Sequence, residues 1–592
     1  MKSICRFTYI NIFYMYRLSY LFVVIFCSCT QNYSPKVEYA LQQAGSNRAE
    51  LGKVLKYYKK NAADSLKLHA AEFLIENMPG KYSKYYDAPW NDVATVMLRW
   101  TSSPNKESIF NAYQLGEPVI KEDLKYISAD YLINNIDLAF KVWQERPWGK
   151  HIPFDVFCEE ILPYRIGTEP LENWREKVLA SFSGMDTGLN KPNTTAIEAC
   201  KIVNNVLPKF RVDKDFPDMT FSQSMASTRG SCDKIVTFAA FAMRGLGIPT
   251  TIYFTPVYTG RNVGHSWNAV CDSTGKHISF MGTETPPGAT HQAIEVVQNK
   301  VYRKTYAIQK ENMQLSSKDI PPLLKGNCID VSSEYGDFFD IRVPLTVSPP
   351  DSSGMVYLAV VGQHTTRNIV ARGYIEGEYG VFHAIRKAIG YFPVYYKNNY
   401  SIAAGEPFLL DQTGDMHTVV NGPFKGPHIL SAGKPCIIPM SDFDIGGEGT
   451  AFHDTGEMNL GETDWYRLSG NDPFSIPVDI DEPEMNLAYI DTGEWVQYTV
   501  EVNDAGIYLC QLHASGAING KFHIEVDGKN RTGSVNLPAN GEWHKWEWYP
   551  KTPLRLTFTK GIHQIRFYCE QAGYNVKNMK LTFFGSAHET DF

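Results

Sequence analysis

Two residues stand where nucleophilic catalysis needs them. Cys232 lies in Arg229-Gly-Ser-Cys-Asp-Lys234, at the head of an apolar stretch, Ile235–Leu246, that closes on Gly245, Gly247 and Pro249. Ser231 and Asp233 are good helix-start residues, and Gly followed by Pro is a good stop. The spacing therefore predicts a largely buried helix with Cys232 in its first turn. The partial positive charge of a helix N-terminus favours the thiolate, the nucleophilic form of the side chain. Gly230 leaves room for substrate backbone beside the sulfur. His265, 33 positions after Cys232, opens the run His-Ser-Trp-Asn-Ala-Val270. An imidazole there is suited to take the thiol proton and return it to a leaving group, provided a third residue orients the ring. Taken alone, Cys232 also reads as an ordinary buried thiol. Its helix-start position and the His-x-Trp run favour the catalytic reading.

A second set of residues points to recognition rather than reaction. The runs Gly493-Glu-Trp-Val-Gln-Tyr498, Ala505-Gly-Ile-Tyr508, Glu525-Val-Asp-Gly528, Gly541-Glu-Trp-His-Lys-Trp546 and Gly573-Tyr-Asn575 alternate short strands with turn residues. That pattern indicates a β-sandwich. Aromatics make up 13% of the chain, with 34 Tyr, 32 Phe and 11 Trp. Such rings stack on the C–H faces of sugars, and they also fill β-rich cores. Lys and Arg number 57 against 64 Asp and Glu, a net charge of −7, with no basic run. The sequence thus carries no electrostatic footprint for nucleic acid. The 11 cysteines show no CxxC pair and no metal-ligand spacing, so neither a zinc site nor a disulfide framework is indicated. Cys510 and Cys569 fall in strand-like stretches of one domain, where they read as buried thiols or as a pair.

At 592 residues the chain exceeds what one hydrophobic core organises. Arg17 and the apolar run Leu18–Phe26, ending in Cys27-Ser-Cys29, are too short to span a bilayer and read as a secretory signal over 1–29. Residues 30–150 are helical in texture, with apolar periodicity over Val37–Lys60, Ala62–Asn77, Asn91–Trp100, Asn105–Leu115 and Ser128–Glu145. Residues 151–320 mix helices and strands. In that segment Thr250–Phe254, His265–Val270 and His277–Phe280 are strands, and Asp272–Lys276 is a hairpin turn. Alternation over Phe339–Val347, Val356–Val361, Ile369–Ile375, Tyr391–Tyr396 and Phe408–Leu410 defines a β domain at 327–425. A linker containing Gly422-Pro423 and Gly426-Pro427 leads to a last β domain at 436–585. The expected fold class is multidomain: an all-α N-terminal region, an α+β core, then two all-β domains.

The motifs Gly-Ser-Cys232, Arg244-Gly-Leu-Gly-Ile-Pro249 and His265-Ser-Trp267, in this order, resemble the core of the transglutaminase-like superfamily. The resemblance implies a papain-related fold, with Cys232 as nucleophile and His265 as general base. The superfamily places an Asp on the strand after the His. Here that strand runs His277-Ile-Ser-Phe280 and carries none. Glu284 is the nearest carboxylate that could orient His265, whereas Asp272 lies too early, in the hairpin turn. Gln223 reads either as an oxyanion donor or as a surface loop residue.

The C-terminal motifs resemble a family 6 carbohydrate-binding module, which implies a jelly-roll sandwich that holds sugar between loops. Tyr489 and Trp543 then correspond to the stacking pair and Asn575 to the amide that fixes a hydroxyl, with Trp546 as a core residue. The calcium carboxylates such modules usually hold are replaced by Pro439-Met-Ser441 and Lys580. Calcium needs several oxygen ligands and negative charge, so no metal or other cofactor is expected. Cys29 after Ser28 resembles a bacterial lipobox, which implies acylation at Cys29; a plain signal peptide is the alternative.

The readings that follow are three. One is an exported, membrane-anchored cysteine-dependent amide hydrolase, in the periplasm or at the cell surface, brought to peptide or glycoprotein substrate by a glycan-binding module. The second is a glycan-binding scaffold whose catalytic domain is inactive, and the third is a protein cross-linking transglutaminase. Glycan, a peptide or glycoprotein substrate and a membrane are the expected partners.

Overall fold

The computed structural model of the protein describes residues 33–587 apart from 87–116, 213–216, 258–263, 290–298, 310–317, 337, 362–366, 388, 412, 419–421, 448, 456–459, 462, 464–465 and 468–477. The signal segment with Cys29 and the helices expected at Asn91–Trp100 and Asn105–Leu115 lie outside these residues. Contacts divide the chain into two compact units, Met1–Thr250 with Cys271–Lys276, and Thr251–Val270 with His277–Phe592.

The first unit is mostly helical, but the N-terminal region is not all-α as expected: Tyr82–Tyr85 pairs antiparallel with Val119–Glu122, and further on Arg211–Val212 pairs parallel with Arg229–Gly230. Helices α1 (Pro35–Gln43), α2 (Arg48–Lys59) and α3 (Ser65–Glu76) take up the first two periodic stretches, Gly45 breaking the first of them with φ +58°. The long helix α4 (Ala129–Glu145) starts where the Ser128 hydroxyl accepts the Tyr131 N–H at 3.2 Å, which satisfies one of the orphan donors of the first turn. Then come α5 (Phe154–Glu160), α6 (Trp174–Ser181), α7 (Ala196–Val206), α8 (Phe221–Ser227) and α9 (Cys232–Gly245).

The C-terminal end of α9 is the knot of this unit. Arg146 Nε donates to Leu246 O at 3.2 Å and Trp148 Nε1 to Gly247 O at 2.7 Å, both from the end of α4. Arg175 of α6 donates through Nε to Asn135 Oδ1 at 2.7 Å, through one terminal nitrogen to Arg244 O at 3.0 Å, and through the other to Ile161 O and to Pro163 O. Carbonyls at a helix end have no partner within the helix, and here buried guanidinium and indole groups supply one. The helices before and after residue 150 are thus bonded through one interior, and the division of the chain falls at Thr250.

The second unit is built of sheets. Five strands, β1 (Thr250–Thr255), β2 (His265–Cys271), β3 (His277–Phe280), β4 (Tyr302–Lys304) and β5 (Cys328–Asp330), lie in the order β3-β2-β1-β4-β5. The middle sheet comprises β6 (Phe338–Pro344), β7 (Met355–Val361), β8 (Arg367–Glu376), β9 (Tyr379–Arg386), β10 (Ile389–Lys397), β11 (Tyr400–Ala403), β12 (Phe408–Leu410) and β13 (Met416–Thr418). Its order is β6-β9-β8-β7-β10-β12-β13, with β11 beside β10. One set of its apolar residues, among them Val356, Leu358, Phe382 and Tyr391, packs into its own core. Tyr357, Ala359, Ile369 and Val394 instead join Tyr302 of β4 and Leu324 in a shared core. Tyr302 Oη also donates to Val370 O at 2.7 Å. The middle sheet is therefore packed onto the five-stranded one.

The last domain is a sandwich of two sheets with a single core. One sheet holds β14 (His428–Leu430), β16 (Phe452–His453), β19 (Trp495–Val502), β21 (Gly520–Val526), β22 (Lys529–Asn530), β23 (Val535–Leu537) and β25 (Gly561–Gln571). The other holds β15 (Cys436–Pro439), β17 (Ile480–Asp481), β18 (Asn486–Leu487), β20 (Gly506–Ser515), β24 (Glu547–Phe558) and β26 (Asn575–Gly585). Burial alternates along the strands, so that Tyr508, Cys510, Leu512 and Ala514 of β20 share the core with Ile565, Phe567 and Cys569 of β25. Cys510 and Cys569 are separate thiols, pushed up by burial to about 12 and about 11. Strand β14 pairs parallel with β19, so the sandwich begins ahead of residue 436.

Burial, then the charge of Arg244, pulls the Arg175 pKa down to about 9. Arg175→Met would strand several buried acceptors at a cost of about 3 kcal/mol. The expected outcome is an earlier first transition in urea unfolding followed by far-UV circular dichroism.

Candidate functional site

Cys232 is the first residue of α9, with Ser231 as N-cap in extended conformation (φ −66°, ψ 172°) and Asp233 in the first turn. From Lys234 to Gly245 every residue of the helix is buried, while Cys232 is half-buried. The nucleophile candidate thus sits at the one end of this helix that is not sunk in the core. Gly230 has φ +153°, and a Cβ there would lie 2.6 Å from Lys234 Cβ, so only glycine fits. Lys234 Nζ pairs with Asp218 at 2.6 Å, and Asp218 also accepts the Thr168 N–H at 2.8 Å and its hydroxyl at 2.7 Å. Burial raises the Asp218 pKa, but the Lys234 charge and these hydrogen bonds outweigh it and hold the carboxyl well below the usual carboxylate range. Gln223 closes a capping box with Thr220, its Oε1 accepting the Thr220 N–H at 2.9 Å.

His265 opens β2. Two residues on, Trp267 is fully buried, and its ring lies against the imidazole with centroids 6.1 Å apart and planes 24° apart. The Trp267 indole N–H donates to Tyr335 Oη at 3.0 Å, and Tyr335 Oη meets Ser279 Oγ of β3 at 2.9 Å. Neither Tyr335 nor Ser279 stood out in the sequence, since a tyrosine 68 positions beyond a tryptophan gives no local signal. Asp272 Oδ1 accepts from Thr274 N, Thr274 Oγ1 and Lys276 N at 2.8, 2.7 and 3.0 Å, and so builds the hairpin turn. Glu284 is exposed on the tight turn after β3, its N–H donating to Met281 O at 3.0 Å.

In the sandwich, Tyr489 and Trp543 are 53% and 47% exposed. Both rings are therefore accessible to an external partner. Tyr489 also has φ +51°, a left-handed conformation that non-glycine residues rarely adopt. The Trp543 loop is built to hold its ring outward. Ser515 Oγ donates to Glu542 O at 2.7 Å and accepts Lys545 N–H at 2.8 Å, and Asn540 N donates to Gly516 O at 3.0 Å.

Asn575, 4% exposed and opposite Ser515 in the β20–β26 register, donates Nδ2 to Trp543 O at 3.2 Å. The structure therefore brings Asn575 and Trp543 together, with one amide N–H directed at the loop itself. His544 lies 3.5 Å from Asp481 and 3.3 Å from Glu484, in the turn that precedes Tyr489, which links the two aromatic loops. Trp546, expected in the core, is instead half-buried on the outer face, its ring 6.0 Å from that of His513 and 5.7 Å from Lys577 Nζ. It lies one residue ahead of β24, on the His513 side of the sheet, away from the sandwich interior.

The oxygens near the expected calcium position are engaged within the chain. Strand β15 pairs with β26, placing Ile437 opposite Lys580 and Pro439 opposite Asn578. Lys580 Nζ stands 4.1 Å over the Trp548 ring. The backbone oxygens of Ser441, Phe443 and Asp444 accept from the Arg467 guanidinium at 2.9, 2.8 and 3.1 Å. A buried cation already occupies those carbonyls.

Comparison with known proteins matches two regions of the chain. The model of the transglutaminase-like superfamily matches residues 185–282, and that of the carbohydrate binding module family 6 matches residues 476–583. The chain therefore contains a transglutaminase-like domain and a C-terminal family 6 carbohydrate-binding module. No curated protein matches the chain. Among solved structures it is similar to the C-terminal CBM6 of LamC, a marine laminarinase from Zobellia galactanivorans, at 18% identity over 25% of this chain and 99% of that one, with a TM-score of 0.18. It is also similar to CBM6cm-2 of Cellvibrio mixtus lichenase 5A in complex with cellotriose, at 24% identity over 17% of this chain and 78% of that one, with a TM-score of 0.16. CsCBM6-3 of Clostridium stercorarium in complex with cellobiose shares 12% identity over 27% of this chain and 99% of that one, with a TM-score of 0.19.

Trp543→Ala is expected to weaken glycan retention in affinity electrophoresis at least about tenfold, the loss of one good stacking contact. Trp546→Ala is expected to leave retention unchanged.

Proposed function

We propose that the protein is an exported cysteine-dependent amide hydrolase, held at a membrane by lipid on Cys29 and directed to glycan-bearing peptide substrate by its C-terminal module. The observation that carries the reading is the order of Cys232 at a helix head and His265 at a strand head within one span matched by the superfamily. In the reaction, His265 takes the Cys232 proton as the sulfur attacks the amide carbonyl carbon. Collapse of the tetrahedral adduct breaks the C–N bond, and His265 gives the proton to the departing amine. Water, deprotonated by the same imidazole, then cleaves the thioester and regenerates the thiol. Glu284 is the proposed carboxylate that orients His265. Tyr489, Trp543 and Asn575 hold the sugar, which raises the local concentration of substrate without adding contacts at the sulfur.

The lack of a carboxylate in His277–Phe280 supports a second reading, a glycan-binding scaffold without catalysis. Iodoacetamide labelling of the full-length protein from about pH 5 to 9 separates the two. Activation predicts fast labelling below the free-thiol pKa of about 8.5, lost in Cys232→Ala and slowed in His265→Ala and Glu284→Gln. Labelling that tracks free-thiol ionisation and ignores His265 leaves only the scaffold. For the anchor, Cys29→Ser is expected to move the protein from the membrane to the soluble fraction; an unchanged distribution argues for a plain signal peptide.

A further inference from the structure

The superfamily match ends at residue 282, yet the ring that lies against His265 is held from beyond that point. We propose that Tyr335, in the segment leading into the middle sheet, is a positioning residue for His265 and acts through Trp267. The inference rests on the reading of His265 as the proton carrier.

Trp267 is fully buried, and its N–H can only donate. Its acceptor is Tyr335 Oη at 3.0 Å, and the two rings meet edge to face, 5.7 Å apart at 77°. Because the tyrosine oxygen accepts from the indole, its own proton is available to Ser279 Oγ at 2.9 Å. Tyr253 packs edge-on against both rings, 6.1 Å from Tyr335 at 65° and 6.2 Å from Trp267 at 74°, and its Oη donates to the adjacent Glu334 at 2.9 Å. The 3-10 turn Ser332–Tyr335 that carries both residues is pinned by Ser332, whose N–H donates to Asp330 Oδ1 at 2.9 Å and whose hydroxyl bonds to the same carboxylate.

Any rotation of the Trp267 ring would leave a buried N–H without an acceptor. The indole plane is therefore fixed, and the imidazole stacked 6.1 Å from it is confined to a nearly parallel plane. Ser279 sits on β3, the strand where the superfamily keeps its Asp. In this chain that strand takes part in orienting the histidine through a neutral chain, Ser279 to Tyr335 to Trp267, which sets the plane of the ring. Glu284 in the proposed reaction addresses a ring nitrogen, so the two contributions are separable.

Tyr335→Phe in the full-length protein removes the hydroxyl and keeps the ring. The expected result is a three- to tenfold slower reaction of Cys232 with iodoacetamide at pH 7, the effect of losing one buried hydrogen bond, with the pH profile displaced toward that of His265→Ala. In protein labelled with 13C at histidine Cε1, the His265 resonance, assigned by its loss in His265→Ala, is expected to titrate at a shifted midpoint. A merely structural role would lower the melting temperature without moving that midpoint. Ser279→Ala is expected to act in the same direction with smaller effect, and serves if Tyr335→Phe does not fold. A Tyr335→Phe protein that labels and titrates as wild type overturns the proposal. Should wild type label no faster than His265→Ala, the nucleophile reading fails, and the His265 titration alone then decides on Tyr335.

Discussion

A helix whose first residue is left half-buried at a candidate site has to be held from its other end. In this protein that end is buried, so its unpaired carbonyls need partners from elsewhere in the chain. Arg146, Trp148 and Arg175 supply them from two other helices. Much of the helical unit follows from this requirement. The helices α4 and α6 must approach α9 closely enough for their polar side chains to reach its last turn. Small residues permit the approach: Gly245 lies where a Cβ would be 2.5 Å from Val178, and Gly247, with φ +82°, lies where one would be 3.1 Å from Val142. What presents as a helical lead-in is the support for the head of α9.

The elements that carry the candidate site were legible where their signals were local. Ser231, Cys232 and the Gly245 to Pro249 stop mark both ends of α9, because capping and termination are written within a few residues. The hairpin Asp272–Lys276 was legible for the same reason, an Asx turn formed by one carboxylate. Strands β9, β11 and β13 went unread. Tyr400–Ala403 and Met416–Thr418 are exposed along their length and lack an alternating apolar face, so they owe their existence to pairing with β10 and β12. Tyr335 and Ser279 were illegible because tertiary hydrogen bonds have no period in the sequence.

The binding module shows the same division. Tyr489, Trp543 and Asn575 come from motif positions, and the structure adds the scaffolding that no motif contains: Ser515, Asn540 and His544 around the tryptophan loop. Trp546 was misread because it still belongs to the loop, one residue ahead of β24, and its ring lies beside His513 rather than in the core. Arg467 came from no pattern at all. It bonds to three carbonyls while its guanidinium lies 3.9 Å from the centres of both Phe424 and Phe443, a cation provided by the chain itself.

The core that Tyr302 and Leu324 share with Tyr357, Ile369 and Val394 bears on how such a protein can be assembled from older parts. A sandwich with its own interior is a cassette: it can be gained, lost or exchanged at its linker without leaving bare apolar surface behind. The five-stranded sheet has no such freedom, because part of its interior is completed by the sheet that follows it. Whatever shuffling produced this architecture, those two sheets must travel as one inherited piece, while the C-terminal module remains free to be traded.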